Sequence, residues 1–175
     1  MSKDNVVDGP WQKAPPPTER EPETDRPVAL NVLIHEDLRG FLFETWRADM
    51  SLIPPVQQVN IVGVRPGVIK GWYRHQKQWE IITCVQGEIQ IIAWKDVRDG
   101  DVQDAKEGIV EILNQRNTRA FVVPAGWWHG VQNIGVVDAV LVEMVTEIFD
   151  PVNPDKERMD PFALNGELWQ QRRSG

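Results

Sequence analysis

The sequence contains one cysteine, Cys84, and one tyrosine, Tyr73, in 175 residues. A single cysteine excludes an internal disulfide and a cysteine-rich zinc site. The 19 basic residues are outnumbered by 26 acidic residues, and a net charge of −7 argues against nucleic acid or an anionic membrane as a partner. No apolar run approaches the roughly 20 residues of a membrane span, and the N-terminus lacks the apolar core of a signal peptide. These absences predict a cytoplasmic protein that binds neither nucleic acid nor membrane.

Proline and charge are concentrated in residues 1–27, which hold six prolines and ten charged residues. A segment of this composition buries too little apolar surface to offset the entropy lost on ordering. We therefore expect a flexible proline-rich arm over 1–27. The alternative is an arm that wraps around a partner subunit.

From residue 28 the chain changes to short runs rich in valine and isoleucine, separated by turn sequences such as Arg65-Pro66-Gly67 and Pro124-Ala125-Gly126. About nine short strands with close turns are typical of a sandwich or barrel. The pattern predicts an all-β domain over 28–165, followed by a C-terminal tail over 166–175.

Two groups of residues recur at fixed spacings within the predicted strands. The first is Gly67, five residues, Tyr73, one residue, His75, four residues, Glu80, six residues and Gly87. The second is Pro124-Ala125-Gly126, two residues, His129, three residues and Asn133. These spacings resemble the two motifs of the cupin superfamily, a double-stranded β-helix or jelly-roll barrel, with Tyr73 in place of the first histidine.

Strand alternation makes a shared site physically reasonable. Residues two apart on a strand share a face, so Tyr73 and His75 lie together, and Ile69 is expected on that same face. Glu80 lies among apolar strand neighbours, where a carboxylate must be either desolvated or paired. We expect these side chains to converge with His129 inside one barrel. A purely structural cluster of buried polar groups is the alternative.

Further segments are similar to a narrower family, the dTDP-4-dehydrorhamnose 3,5-epimerases. The matching segments are Asp37-Leu38-Arg39-Gly40 with Glu44, Val56-Gln57-Gln58-Val59-Asn60, Gly67-Val68-Ile69-Lys70-Gly71, Pro124 to Gly130, and Glu157 to Pro161. The resemblance implies that a nucleotide sugar is the ligand and that the protein is a homodimer. It also implies a set of substrate-binding residues, to which we add a tryptophan able to stack on a sugar or base. The complete predicted set is Arg39, Glu44, Gln58, Asn60, Lys70 and Trp128.

The catalytic positions of that family are altered in this sequence. The base histidine is replaced by Tyr73, the oxyanion lysine aligns with Glu80, and the acid tyrosine falls at Ile148 or Phe149. Asp160 is the remaining member of the base's dyad, and His129 is retained. The residues predicted to be catalytic are therefore Tyr73, His75, Glu80, His129 and Asp160.

Three hypotheses follow from this altered set. The first is a nucleotide-sugar epimerase or isomerase without a cofactor, with His75 or His129 as base, Tyr73 as acid, and a Glu80 whose pKa is raised by burial. The second is a metal-dependent cupin enzyme in which His75, Glu80 and His129 hold a divalent transition metal. The third is a carbohydrate-binding cupin without catalysis. The metal-free epimerase is favoured over the other two.

Overall fold

The computed structural model describes residues 25–32, 34–47, 53–95, 108–116, 119–163 and 168–169. The predicted arm up to residue 24, and all but two residues of the predicted tail, lie outside this range. Within it the secondary structure is β-strand, and no α-helix occurs. The all-β prediction is therefore confirmed. Among these residues, no helix has the length and apolar character needed to cross a membrane.

The chain folds into two five-stranded antiparallel sheets and a separate hairpin. The strands are β1 (Val28–Asn31), β2 (Ile34–Asp37), β3 (Gly40–Phe43), β4 (Gln58–Val64), β5 (Ile69–Arg74), β6 (Glu80–Gln86), β7 (Glu88–Trp94), β8 (Ile109–Asn114), β9 (Arg119–Val123), β10 (Trp128–Asn133), β11 (Ala139–Val145) and β12 (Glu157–Arg158). Sheet 1 has the order β1-β9-β6-β11-β4, and sheet 2 has the order β12-β5-β10-β7-β8. The hairpin pairs β2 with β3. From β4 to β7 the chain alternates between the two sheets, as a jelly roll does.

One end of the barrel interior is apolar and the other is polar. The apolar end contains Val64, Cys84, Ile89 and Leu113, each at most 1% exposed. Inward-facing positions nearer the opposite end carry polar side chains instead, at the end of β5 and the starts of β4, β6 and β10. Because neighbouring strands run antiparallel, these positions lie at the same end of the barrel.

A cluster of tryptophans covers the outer face of sheet 2. Trp72 is fully buried, and its ring centre lies 4.6 Å from that of Trp169 and 5.9 Å from that of Trp94. The Trp169 indole also donates a hydrogen bond of 3.0 Å to the Pro161 carbonyl. Trp169 is only 3% exposed, so the packed structure includes a residue beyond position 165, the end predicted for the barrel.

The pairing of β5 with β10 contains a register shift that changes which side chains face inward. Tyr73 pairs with His129, but Lys70 pairs with Val131. Cross-strand partners share a face, so Lys70 faces the interior with Tyr73. Ile69 instead packs against the outer tryptophan cluster. The expectation that Ile69 shares the face of Tyr73 is wrong, because the irregularity interrupts simple alternation.

Candidate functional site

Three buried side chains meet at the polar end of the barrel. His75 follows directly after β5, Glu80 begins β6, and His129 is the second residue of β10. The two oxygens of Glu80 separate the rings: Oε1 lies 3.1 Å from His75 Nε2, and Oε2 lies 3.0 Å from His129 Nε2. Each of the three residues is at most 7% exposed. The two spaced motifs therefore do converge on one cluster.

Backbone carbonyls orient both imidazole rings from behind. His75 Nδ1 contacts the carbonyl oxygen of Asp155, and His129 Nδ1 lies 3.3 Å from that of Trp127. A carbonyl oxygen only accepts hydrogen bonds, so each Nδ1 carries the donated proton. Each Nε2 then points at Glu80. Either the rings are charged and donate to the carboxylate, or they are neutral and their lone pairs converge with it on a cation.

The charged forms of Glu80 and His129 stabilise each other. Burial by itself would raise the pKa of Glu80, but the neighbouring imidazoles hold that pKa well below its usual range. Burial disfavours a charged His129 ring, but the facing carboxylate raises the pKa of His129 above its ordinary value. The hypothesis that Glu80 is an acid with a raised pKa is therefore wrong, because its imidazole neighbours outweigh desolvation.

The segment before β12 fixes the turn that separates His75 from Glu80. The Asp155 carboxylate accepts hydrogen bonds from the backbone amides of Gln76, Lys77 and Gln78 at 2.8, 2.9 and 2.9 Å. The Gln78 side chain then donates a 2.8 Å hydrogen bond to Glu80 Oε1. Asp155 thus positions the turn through its side chain and the His75 ring through its carbonyl.

Tyr73 extends the polar cluster along sheet 2. Its ring centre lies 6.3 Å from that of His129. The ammonium group of Lys156 lies 3.9 Å from the Tyr73 ring centre, and the Arg158 guanidinium lies 6.0 Å from it. Tyr73 therefore lies beside His129 with two cationic side chains near its ring.

Sheet 1 contributes a wall of polar side chains that the sequence analysis recognised only in part. Gln58 Nε2 donates a 2.8 Å hydrogen bond to Asn60 Oδ1 on β4. On β11, Glu143 pairs with Asn60 on one side and with the buried Ile82 on the other. Glu143 therefore faces inward, but it was not predicted as a site residue. The available signal was a single acidic residue within the apolar run Leu141 to Val145.

The profile of the polysaccharide biosynthesis C-terminal domain family matches residues 35–157. The chain belongs to this family. One relative is the probable low-salt glycan biosynthesis epimerase Agl13 of Haloferax volcanii, 27% identical over 128 residues, which are 72% of this chain and 81% of the relative. Another is the spore coat polysaccharide biosynthesis protein SpsL of Bacillus subtilis, 29% identical over 125 residues, which are 71% of this chain and 82% of the relative.

A solved structure establishes the fold of this family member. The chain is similar to the dTDP-6-deoxy-D-glucose-3,5-epimerase of Legionella pneumophila, solved with dTDP-4-keto-L-rhamnose bound. The TM-score is 0.67 at 22% identity, and the match covers 85% of this chain and 79% of the other. The predicted cupin barrel, and its likeness to the dTDP-sugar epimerases, are both confirmed.

Several residues predicted for the site lie elsewhere in this family member. Arg39 is at the tip of the β2–β3 hairpin and pairs with Asp37, with its side chain 82% exposed. Glu44 pairs with Arg47 at 3.1 Å on the surface. The structure therefore does not bring these two side chains into the His–Glu–His cluster, because each belongs to a local ion pair outside the two sheets.

Asp160 and Trp128 also lie away from the cluster. Asp160 is exposed, and its carboxylate accepts a 2.8 Å hydrogen bond from the Phe162 amide, so it caps a turn and is not a dyad partner. Trp128 belongs to the outer cluster, where its ring stacks on Trp94 and lies 4.5 Å from the Arg74 guanidinium. It cannot line the interior beside His129, because adjacent residues on a strand point to opposite faces.

The three buried residues form a donor set that suits a metal ion. One ligand atom from each of His75, Glu80 and His129 lies within 4.8 Å of the others. Two imidazole nitrogens and one carboxylate are the set that holds divalent iron, manganese, nickel or zinc with open positions. The carbonyls behind both rings supply the orienting contacts that such ligands usually have.

Proposed function

We propose that this protein is a nucleotide-sugar epimerase that exchanges a proton on the carbon next to a ketone of its substrate. The observation that carries the proposal is the convergence of Tyr73 and His129 from sheet 2 with Glu80 from sheet 1 inside the barrel. Removing a proton next to a ketone creates an enolate, which requires a positive or hydrogen-bonding partner and a group that returns a proton. The family relationship to glycan biosynthesis epimerases supports the same reaction class.

Charge within the cluster supplies the partner for the enolate. The Glu80 carboxylate raises the pKa of His129 and so favours its charged form, and a nearby imidazolium lowers the energy of a negative oxygen through its charge. In the dTDP-sugar epimerases a lysine stabilises the enolate, and Glu80 occupies the position of that lysine here. His129 is proposed to take over the role of the lysine. Gln58 and Asn60 present amides near the same end of the barrel and are proposed to bind the substrate, together with Lys70.

Tyr73 is proposed as the acid that returns the proton. Its phenol carries a transferable proton, and the Lys156 ammonium lies 3.9 Å from the centre of its ring. His75 and His129 are poor candidates for the base. Both nitrogens of each ring are already occupied, by Glu80 on one side and by a carbonyl on the other.

A second candidate is a metal-dependent enzyme that uses the same pocket. It is favoured by the two Nε2 atoms that face one carboxylate while both Nδ1 atoms face carbonyls. If the rings are neutral, both Nε2 atoms and the facing carboxylate oxygens are acceptors without a donor between them. A cation bound among these atoms would interact favourably with all of them. His75, Glu80 and His129 would hold the ion, which would polarise the ketone oxygen as a Lewis acid.

Deuterium incorporation tests the proposed reaction. We expect the protein, incubated in D₂O with dTDP-4-keto-6-deoxy-D-glucose, to replace a proton at C3 or C5 with deuterium, as followed by proton NMR. A UDP-linked 4-keto sugar serves as a second probe. Exchange with this sugar alone would show a catalytic protein that prefers a different nucleotide, whereas exchange with neither would show that catalysis is absent. Tyr73→Phe keeps the ring beneath Lys156 but removes the phenol proton, so we expect the rate of epimer formation, followed in the same spectra, to fall by about 100-fold.

The outcome that would contradict catalysis is specific. A protein whose thermal stability rises with either nucleotide sugar, but which incorporates no deuterium over many hours, would be the non-catalytic carbohydrate-binding cupin. A ligand at 100 times its dissociation constant stabilises by about 2.7 kcal/mol, which a thermal shift detects readily.

We also infer that the protein is a cytoplasmic homodimer. Within the described part of the chain, β4 ends sheet 1, and its outward side chains Val59 and Ile61 are 57% and 69% exposed. An apolar edge strand with unpaired backbone groups is usually covered in native proteins. We expect light scattering to give twice the 20.0 kDa of one chain, and a monomer throughout the micromolar range would contradict the inference.

A further inference from the structure

The proposed reaction lacks a base, and Glu143 is an inward-facing acidic residue of sheet 1 that the mechanism leaves unused. It lies on β11 between Asn60 of β4 and Ile82 of β6. Ile82 is 1% exposed and belongs to the interior core. Since cross-strand partners share a face, the Glu143 carboxylate projects into the barrel from sheet 1.

Charged groups from four other elements act on Glu143. They are Lys70 of β5, Glu80 of β6, His129 of β10 and Lys156 of the segment before β12. Lys156 also lies over the Tyr73 ring. The charge of Lys156 thus acts on Glu143 as well as lying over Tyr73, although the two residues belong to opposite sheets. A sugar bound between the sheets would have Glu143 on one face and Tyr73 on the other.

We propose that Glu143 is the base that removes the substrate proton, a role that rests on the proposed epimerase function. Epimerisation needs proton removal and proton return on opposite faces of one carbon. The Glu143 carboxylate takes the proton, the C–H electron pair forms a carbon–carbon double bond, and the carbonyl electrons move to oxygen as an enolate. Tyr73 then gives its phenol proton to the opposite face, and the ketone reforms. Transfer of the captured proton from Glu143 to the Tyr73 phenolate through solvent restores the starting state.

The environment of Glu143 suits this role. Burial, reinforced by the charge of Glu80, raises the pKa of Glu143 to about 7, although His129 and the two lysines oppose the shift. A base is most effective when its pKa lies near the working pH, because it is then both basic and available as the carboxylate.

Glu143→Gln tests the role through chemistry. We expect deuterium incorporation into dTDP-4-keto-6-deoxy-D-glucose to fall by at least about 100-fold. In the wild type, kcat/KM should rise with pH up to about 7, where Glu143 loses its proton, and the residual rate of the variant should lack this rise. Glu143→Asp retains a carboxylate and should recover part of the rate. Glu147→Gln changes an exposed residue four positions further along and should leave both the rate and its pH profile unchanged.

Thermal unfolding provides a second readout that does not depend on activity. A carboxyl group with a raised pKa binds its proton more tightly in the folded state, so the stability of the wild type falls as pH rises from the ordinary value of 4.5 towards 7. Glutamine resembles the protonated form. We therefore expect equal melting temperatures near pH 4 and a higher one for Glu143→Gln at pH 8, with Glu147→Gln matching the wild type at both.

The results that overturn the proposal are separable from failure of the proposed function. A wild type that incorporates deuterium and a folded Glu143→Gln that does so within three-fold of the same rate would exclude Glu143 as the base and leave the epimerase function standing. A melting temperature of Glu143→Gln no higher than that of the wild type at pH 8 would contradict the buried carboxylate. A wild type that exchanges no proton with either nucleotide sugar would overturn the function and this role together.

Discussion

Glu80→Gln is expected to lower the rate of deuterium incorporation by at least about 100-fold and the free energy of unfolding by about 3 kcal/mol. The substitution keeps the size of the side chain and removes the charge that His75 and His129 share. Both rings are buried, so the loss leaves each Nε2 facing a neutral amide in place of a carboxylate. Proton NMR in D₂O and denaturant unfolding measure the two effects.

Glu111→Gln is the matched control for Glu80→Gln. It makes the same chemical change in an ion pair with Arg119, at 2.6 Å on the β8 side of the molecule. The partners are about a quarter exposed, so water can replace part of the lost interaction, and we expect a smaller loss of about 1.5 kcal/mol and an unchanged exchange rate. If Glu80→Gln exchanged deuterium as fast as Glu111→Gln, the cluster would be structural and the proposed function would lose its central residue.

Elemental analysis of the same proteins separates the two candidate functions. The metal-free epimerase is expected to contain no stoichiometric transition metal after dialysis. The effects of Glu80→Gln should then arise from the lost charge and not from a lost metal. A metal that is retained by the wild type and by Glu111→Gln, but lost by Glu80→Gln, would establish the metal-dependent enzyme instead. Metal affinity would in that case weaken at acidic pH, because the histidine ligands must be neutral to bind.

Gly71→Ala is expected to lower the free energy of unfolding by about 3 kcal/mol and to slow exchange. A Cβ at Gly71 would lie 2.9 Å from the Cα of Gly130 on β10. The contact is between two backbones, so no side chain can rotate away. The two strands would have to separate where the β5–β10 register shifts, which would also move Tyr73 away from its partner His129.

Gly63→Ala is the control for Gly71→Ala. It also changes a glycine within a strand, but a Cβ there meets no atom within 4 Å. Alanine restricts the unfolded chain more than glycine does, so we expect a neutral or slightly stabilising effect of up to about 1 kcal/mol. Equal denaturant midpoints for the two variants would contradict the close approach of β5 and β10.

The sequence by itself determined the strand-rich barrel and the residues that meet at its polar end. Turn residues and strand alternation are local properties, and they bring Tyr73 and His75 to one end of β5. The turn from His75 to Glu80 is short in sequence, but its shape depends on hydrogen bonds to Asp155, which lies far along the chain. Strand alternation also places Trp128 on the face opposite His129. The prediction that Trp128 binds the substrate therefore contradicted the sequence pattern itself.

Only the tertiary structure decided the residues whose position depends on which strands are neighbours. Glu143 becomes a candidate base because β11 lies between β4 and β6 and faces sheet 2, and this order joins segments far apart in the chain. Lys70 faces inward only because the pairing with β10 shifts by a residue. Asp160 and Arg39 matched a motif, but their surroundings place them in a turn and at a hairpin tip. Spacing fixes which neighbours along one strand share a face, whereas pairing and register arise from packing of the whole barrel.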